Sequence, residues 1–137
     1  MKRPRVVLAD DNKAILECVR ELLSSDFDVV STAHDGQQVL EVIVALQPEA
    51  VVLDISMPRL SGLDVARRLS ALAAPPQIVF LTVHEGADFL AAAREVGASG
   101  YVFKRNAGSE LIRVLKQALC GNWAFPERND EPTAVSD

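Results

Sequence analysis

Val51-Val52-Leu53-Asp54-Ile55-Ser56-Met57-Pro58-Arg59-Leu60-Ser61-Gly62 carries an apolar run up to a carboxylate and then breaks it with Ser, Pro, Ser and Gly. Short apolar runs bounded by turn residues suit strands buried on both faces, as in a parallel sheet. Open α/β sheets bind ligands just beyond the carboxyl ends of such strands, so Asp54 stands where chemistry is expected. Alone, Asp54 reads equally as a solvated residue before a turn. Its weight comes from what the other strands place beside it.

Outward from this stretch the same grammar repeats. Val6-Val7-Leu8-Ala9 is a first strand, ended by Asp10-Asp11-Asn12, and Ile15, Leu16, Val19, Leu22 and Leu23 follow at helical spacing. Residues 27–31 form a second strand, and Val39, Leu40, Ile43 and Leu46 mark a second helix that Pro48 closes before the third strand, residues 50–53. Leu63, Ala66, Leu69 and Leu72 predict a third helix ended by Ala74-Pro75-Pro76. Residues 78–81 are a fourth strand ending at Thr82, and an Ala-rich fourth helix spans residues 89–96 with Gly97 placed as a helix C′ residue. Tyr101-Val102-Phe103 is a fifth strand ending at Lys104, and Leu111, Val114, Leu115, Ala118 and Leu119 form the stripe of a last helix. Five strands alternating with five helices predict an α/β doubly wound parallel sheet. A domain over residues 1–125 is expected, with residues 126–137 a polar tail or the start of a linker.

At 137 residues, 49% apolar and 24% charged, the chain reads as one soluble domain with a sizeable core. A net charge of −5 argues against a nucleic-acid surface in this chain, and no apolar run reaches membrane-spanning length. The Lys-Arg-Pro-Arg start runs directly into a strand rather than a signal-peptide core. Cys18 and Cys120 lack metal-ligand spacing and read as small buried apolar residues of a reducing cytosol, with a disulfide between them not favoured. A cytoplasmic location follows.

Parallel strands joined by helices point their ends one way, so Asp10, Asp11, Asp54, Thr82 and Lys104 are expected on one rim. Two carboxylates about 4 Å apart repel by roughly 4 kcal/mol at an effective dielectric near 20. A divalent cation relieves this, and oxygen ligands suit Mg²⁺. Asp54 would then attack an electrophilic phosphorus, with Lys104 offsetting charge and Thr82 donating a hydrogen bond. Singly, each residue has a plainer role: Asp11 or Asn12 as a helix cap, Thr82 as a strand end, Lys104 as a solvated cation, His34 as a turn or cap residue. The combination across four strands is what carries the reading.

Over residues 5–123 the chain resembles a receiver domain of bacterial two-component response regulators. The resemblance rests on Asp10-Asp11, on Asp54 with Met57-Pro58 and Gly62, on Thr82, and on Lys104 within Gly100-Tyr101-Val102-Phe103-Lys104. It implies a flavodoxin-like sheet of order 2-1-3-4-5. It further implies that Asp54 accepts a phosphoryl group from a sensor histidine kinase, and that Mg²⁺ (or Mn²⁺) is held by Asp11, Asp54 and the backbone carbonyl of Ser56, with Asp10 acting through water. Thr82 and Lys104 would bind phosphoryl oxygens, Thr82 and Tyr101 would rearrange together, and Ser56 and His84 would tune how long the phosphoryl group lasts. Leu81-Thr82-Val83-His84, Lys104-Arg105-Asn106-Ala107 and Gly121-Asn122-Trp123-Ala124-Phe125-Pro126 resemble the subgroup that precedes LuxR-type helix-turn-helix domains. That implies transcriptional output through a DNA-binding domain absent from this chain, and homodimerisation on phosphorylation. Two positions depart from the broad family: Arg105 follows Lys104 where many receivers have Pro, so a trans bond is expected, and Val83 replaces a small residue.

Three other readings compete. A stand-alone receiver would signal by protein contact. An aspartyl-phosphate phosphatase of the haloacid-dehalogenase type would need a second acid two residues after the nucleophile, where Ser56 stands. A flavodoxin-like cofactor binder would need a phosphate loop after the first strand, and the acidic rim would repel a flavin phosphate.

Overall fold

The computed structural model describes residues 2–126 of the chain. Five parallel strands, β1 (Arg5–Ala9), β2 (Asp28–Ala33), β3 (Ala50–Leu53), β4 (Gln77–Thr82) and β5 (Gly100–Phe103), lie in the order β2-β1-β3-β4-β5. Between and after them run α1 (Lys13–Leu23), α2 (Gly36–Leu46), α3 (Gly62–Ser70), α4 (Ala87–Glu95) and α5 (Ala107–Leu119), with a 3₁₀ turn at Lys104–Asn106. This is the flavodoxin-like architecture expected. The tail assigned to residues 126–137 lies outside the described residues apart from Pro126.

The two-residue period of the strands divides the core. Val6, Leu8, Val52, Val79, Leu81 and Val102 point toward α1 and α5, where they meet Leu16, Val19, Leu111 and Leu115. Val7, Val51, Leu53, Ile78, Phe80 and Tyr101 point the other way, onto Val39, Ile43, Val65, Leu69 and Ala93 of α2, α3 and α4. With both faces covered, the central strands can be apolar without a break.

The helix boundaries follow local chemistry. Asn12 caps α1, its side chain accepting from Ala14 N and Ile15 N, so the capping role falls to Asn12 and leaves the Asp11 carboxylate free of it. Asp35 caps α2 through Gln38 N, and Ser61 caps α3 through Asp64 N. Gln47, in the left-handed region at φ 49°, ends α2 one residue before Pro48. His34 is exposed, and its backbone N–H donates to Gln38 Oε1 at the start of α2.

Several expectations need correction. Cys18 and Cys120 are exposed free thiols rather than buried ones, because Cys18 falls on the solvent side of α1 and Cys120 lies just past the last turn of α5. β2 starts at Asp28 and runs to Ala33. As an edge strand it is delimited by pairing with β1 rather than by apolar content, and Phe27 packs into the core just before it. α3 stops at Ser70, well short of the two prolines, which leaves Leu72 37% exposed, and Val65 takes the core position instead. α4 starts two residues earlier than expected. Among the described residues there is no cis peptide bond, so Lys104–Arg105 is trans as expected.

Candidate functional site

Strand register assembles the site. Ala9 pairs with Leu53 and Thr82 with Phe103, so the residues that follow, Asp10, Asp54 and Lys104, emerge on one rim together with Thr82. The backbone continues the sheet one step further: Asp54 N donates to Ala9 O at 3.0 Å and Asp10 N to Ala33 O at 3.1 Å. Asp10, Asp54 and Thr82 are buried, whereas Asp11 is exposed.

Carboxylate oxygens of Asp10, Asp11 and Asp54 all lie within 4.8 Å of one another. Lys104 reaches across from β5, its Nζ 2.8 Å from Asp10 Oδ2 and 3.1 Å from Asp54 Oδ2. Burial opposes the Lys104 charge, but its hydrogen bonds to Asp10 and Asp54 and their negative charges outweigh that, and the pKa lies above the ordinary lysine value. The remaining oxygens are also engaged. Asp54 Oδ1 accepts from Ile55 N at 2.7 Å, and Asp10 Oδ1 from Asn12 N at 2.9 Å.

Three carboxylates around one ammonium leave two negative charges, which a divalent cation would balance. The all-oxygen donor set fits a hard ion such as Mg²⁺ or Mn²⁺.

The loop after Asp54 is held by backbone contacts. Gly62 N donates to Ile55 O at 2.7 Å, and a Cβ on Gly62 would fall 2.0 Å from Asp54 O, so only glycine allows this approach. Gly36 N donates to Pro58 O at 3.2 Å, tying the same loop to α2.

The β4–α4 loop forms the other wall. Thr82 Oγ1 accepts from His84 N at 3.3 Å, and His84 Nε2 lies 2.7 Å from Ser56 Oγ. The His84 ring stacks on Phe89 of α4, with centroids 4.2 Å apart. Tyr101, 1% exposed, donates its hydroxyl to His84 O at 2.7 Å, and burial together with the Asp54 and Glu85 charges pushes its phenol pKa well up. Glu85 makes a bidentate pair with Arg105 of the 3₁₀ turn at 2.6 and 2.8 Å, which lowers the Glu85 pKa.

Sequence reasoning placed Ser56 and His84 separately beside the site; their direct contact was not foreseen, nor was the Glu85–Arg105 pair. Both link residues at least 20 positions apart through loops, where no periodicity reports proximity.

Residues 6–116 match the model of the response regulator receiver domain. Response regulator MprA of Mycobacterium ulcerans is 36% identical over 115 residues, which is 84% of this chain and 50% of that protein. The chain thus spans about half the length of the curated relatives it matches. The signal receiver domain of NarL from Mycobacterium tuberculosis superposes with a TM-score of 0.85 at 28% identity, covering 89% of this chain and all of that one. A two-component response regulator of the LuxR family from Aurantimonas sp. SI85-9A1 gives a TM-score of 0.85 at 30% identity, covering 90% of this chain and 89% of that one.

Proposed function

The chain belongs to the response regulator receiver family of two-component signalling, and from that premise we propose that Asp54 is its phosphoacceptor. Lys104, Thr82 and the acidic pair Asp10 and Asp11 are its accessory groups. The observation that carries the assignment is Lys104 Nζ lying between Asp10 Oδ2 and Asp54 Oδ2, on the rim where three carboxylates converge.

In this reading an Asp54 carboxylate oxygen attacks the phosphorus of a phosphohistidine on a sensor kinase. The O–P bond forms as the P–N bond breaks, and the leaving imidazole keeps the electron pair and takes a proton. Asp10, Asp11, Asp54 and the Ser56 carbonyl would hold Mg²⁺, which supplies charge neutralisation for the transferring group. Lys104 exchanges its carboxylate partners for a phosphoryl oxygen, and Thr82 donates its hydroxyl to another. Receivers are phosphoacceptors rather than turnover enzymes, and the side chain two residues after Asp54 is a serine already engaged by His84. With no acid there to activate water, autodephosphorylation is slow.

We place the receiver over residues 1–125 and its action in the cytoplasm. Among the described residues no helix is long and apolar enough to cross a membrane. Output through a DNA-binding domain beyond this chain, with dimerisation on phosphorylation, is supported by the LuxR-family likeness and by relatives about twice as long.

Incubating the chain with Mg²⁺ and acetyl phosphate tests the assignment. A mass gain of one phosphoryl group, lost in Asp54→Ala, is the expected result. Steady release of phosphate with no covalent adduct overturns it.

A further inference from the structure

The outer edge of β5 is covered at its start. After α5 the chain turns at Gly121 (φ 84°), and Ala124 forms a parallel bridge with Gly100. Tyr101 N donates to Ala124 O at 3.1 Å, Ala124 N to Ser99 O at 3.0 Å, and Asn122 N back to Gln117 O at 2.9 Å. Ala124 is buried. The Phe125 ring lies 6.0 Å from the Tyr101 ring at an interplanar angle of 30°, and the Arg94 guanidinium of α4 sits 4.7 Å from the Phe125 centroid. The segment leaving the domain therefore rests on β5, α4 and Tyr101 together. A groove of about 310 Å³ lies between this segment, Phe103 and α5, so the segment is not enclosed on that side.

At its other end Tyr101 leads back to the rim. Its hydroxyl is held by the His84 carbonyl, and His84 N is hydrogen-bonded to Thr82 Oγ1. We propose that residues 122–126 are an intramolecular read-out strand whose docking on β5 is coupled, through Thr82, His84 and Tyr101, to the occupancy of Asp54. The inference rests on Asp54 being the phosphoacceptor. A phosphoryl group that fixes Thr82 fixes the loop bearing the His84 carbonyl. A buried hydroxyl is costly to leave without an acceptor, so a fixed carbonyl holds the Tyr101 ring in the position on which Phe125 stacks. Occupancy of Asp54 tightens docking, and by linkage docking tightens occupancy. What the strand passes on is the direction in which the chain leaves the domain.

The test uses the whole chain with Mg²⁺ and the phosphoryl mimic beryllofluoride, its binding followed by fluorine NMR. Exchange of the Tyr101 and Ala124 amides and the emission of Trp123, the chain's single tryptophan, 72% exposed beside Phe125, report docking. Bound mimic is expected to slow exchange of both amides roughly fivefold or more and to shift the Trp123 emission. Tyr101→Phe, which keeps the ring and removes only the hydroxyl, abolishes the slowing. Phe125→Leu, an exchange outside the rim, weakens mimic binding by the same factor as it reduces the slowing. Mimic bound with amide exchange unchanged, or an equal response in Tyr101→Phe, overturns the coupling and leaves the phosphoacceptor assignment standing. No mimic bound to the wild-type chain overturns both.

Discussion

Lys104 Nζ lies 3.1 Å from Asp54 Oδ2, although fifty residues of chain and the whole of β4 separate the two. The same ammonium is 2.8 Å from Asp10 Oδ2, so one cation holds two buried carboxylates together. Lys104→Met leaves them facing each other uncompensated. The expected loss of stability without divalent ions is about 2–4 kcal/mol, measured by urea unfolding. A metal held by these carboxylates would have to share or displace the lysine, so on the proposed assignment this variant should bind Mg²⁺ more tightly than the wild type while accepting phosphoryl groups more slowly. Weaker Mg²⁺ binding in a titration argues against that competition.

Asp11 offers a cleaner test of the metal. It belongs to the acidic cluster yet is exposed, so Asp11→Asn should change stability in the absence of metal by no more than about 0.5 kcal/mol. Saturating Mg²⁺, at a hundred times its dissociation constant, should stabilise the wild type by about 2.7 kcal/mol. Most of that increment should disappear in Asp11→Asn. Thermal unfolding with and without Mg²⁺ or EDTA reads both effects.

Gly62 and Gly108 should respond in opposite ways to alanine. A Cβ on Gly62 would overlap Asp54 O and drive the loop after Asp54 off its anchor, at a cost of about 3 kcal/mol and, on the proposed assignment, with slower phosphorylation. Gly108, in the first turn of α5, has nothing within 4 Å of where a Cβ would stand, and Gly108→Ala should stabilise by about 0.5 kcal/mol. Equal effects at the two positions would contradict the packing around Asp54.

The pH dependence follows from Lys104. Its folded-state pKa is raised above the ordinary value of 10.5, so its contribution is fully present below that pH and is lost as pH rises through the folded-state pKa. The raised phenol of Tyr101 acts with the same sign, starting from its ordinary value of 10.0. Stability measured by denaturant should therefore fall above about pH 10. The fall should be shallower in Lys104→Met, which retains only the Tyr101 part.

The layered sheet was legible in the chain because β1, β3, β4 and β5 are short apolar runs and each ends in a chemically distinctive residue. Asp10, Asp11, Asp54 and Lys104 converge as the strand direction alone requires. Features outside that logic were hidden. An amphipathic stripe does not say which flank Cys18 takes or where the last helix stops, and Cys18 turned outward while Cys120 fell just past α5. Leu72 kept helical spacing beyond Ser70, although the chain had already left the helix. The bridge from Ala124 to Gly100 could not be foreseen, because a single residue pair leaves no period to read.

That bridge makes the sheet unequal at its two margins. One margin, β5, is covered at its start by the molecule's own backbone at Ala124. The other, β2, carries Asp28, Ser31 and Thr32 and shifts register against its neighbour between Val6 and Val7. A polar, kinked margin is a poor template for a foreign strand. Addition of a strand from a second molecule is therefore disfavoured at β2 and at the start of β5, where the chain has already taken the place of a neighbour.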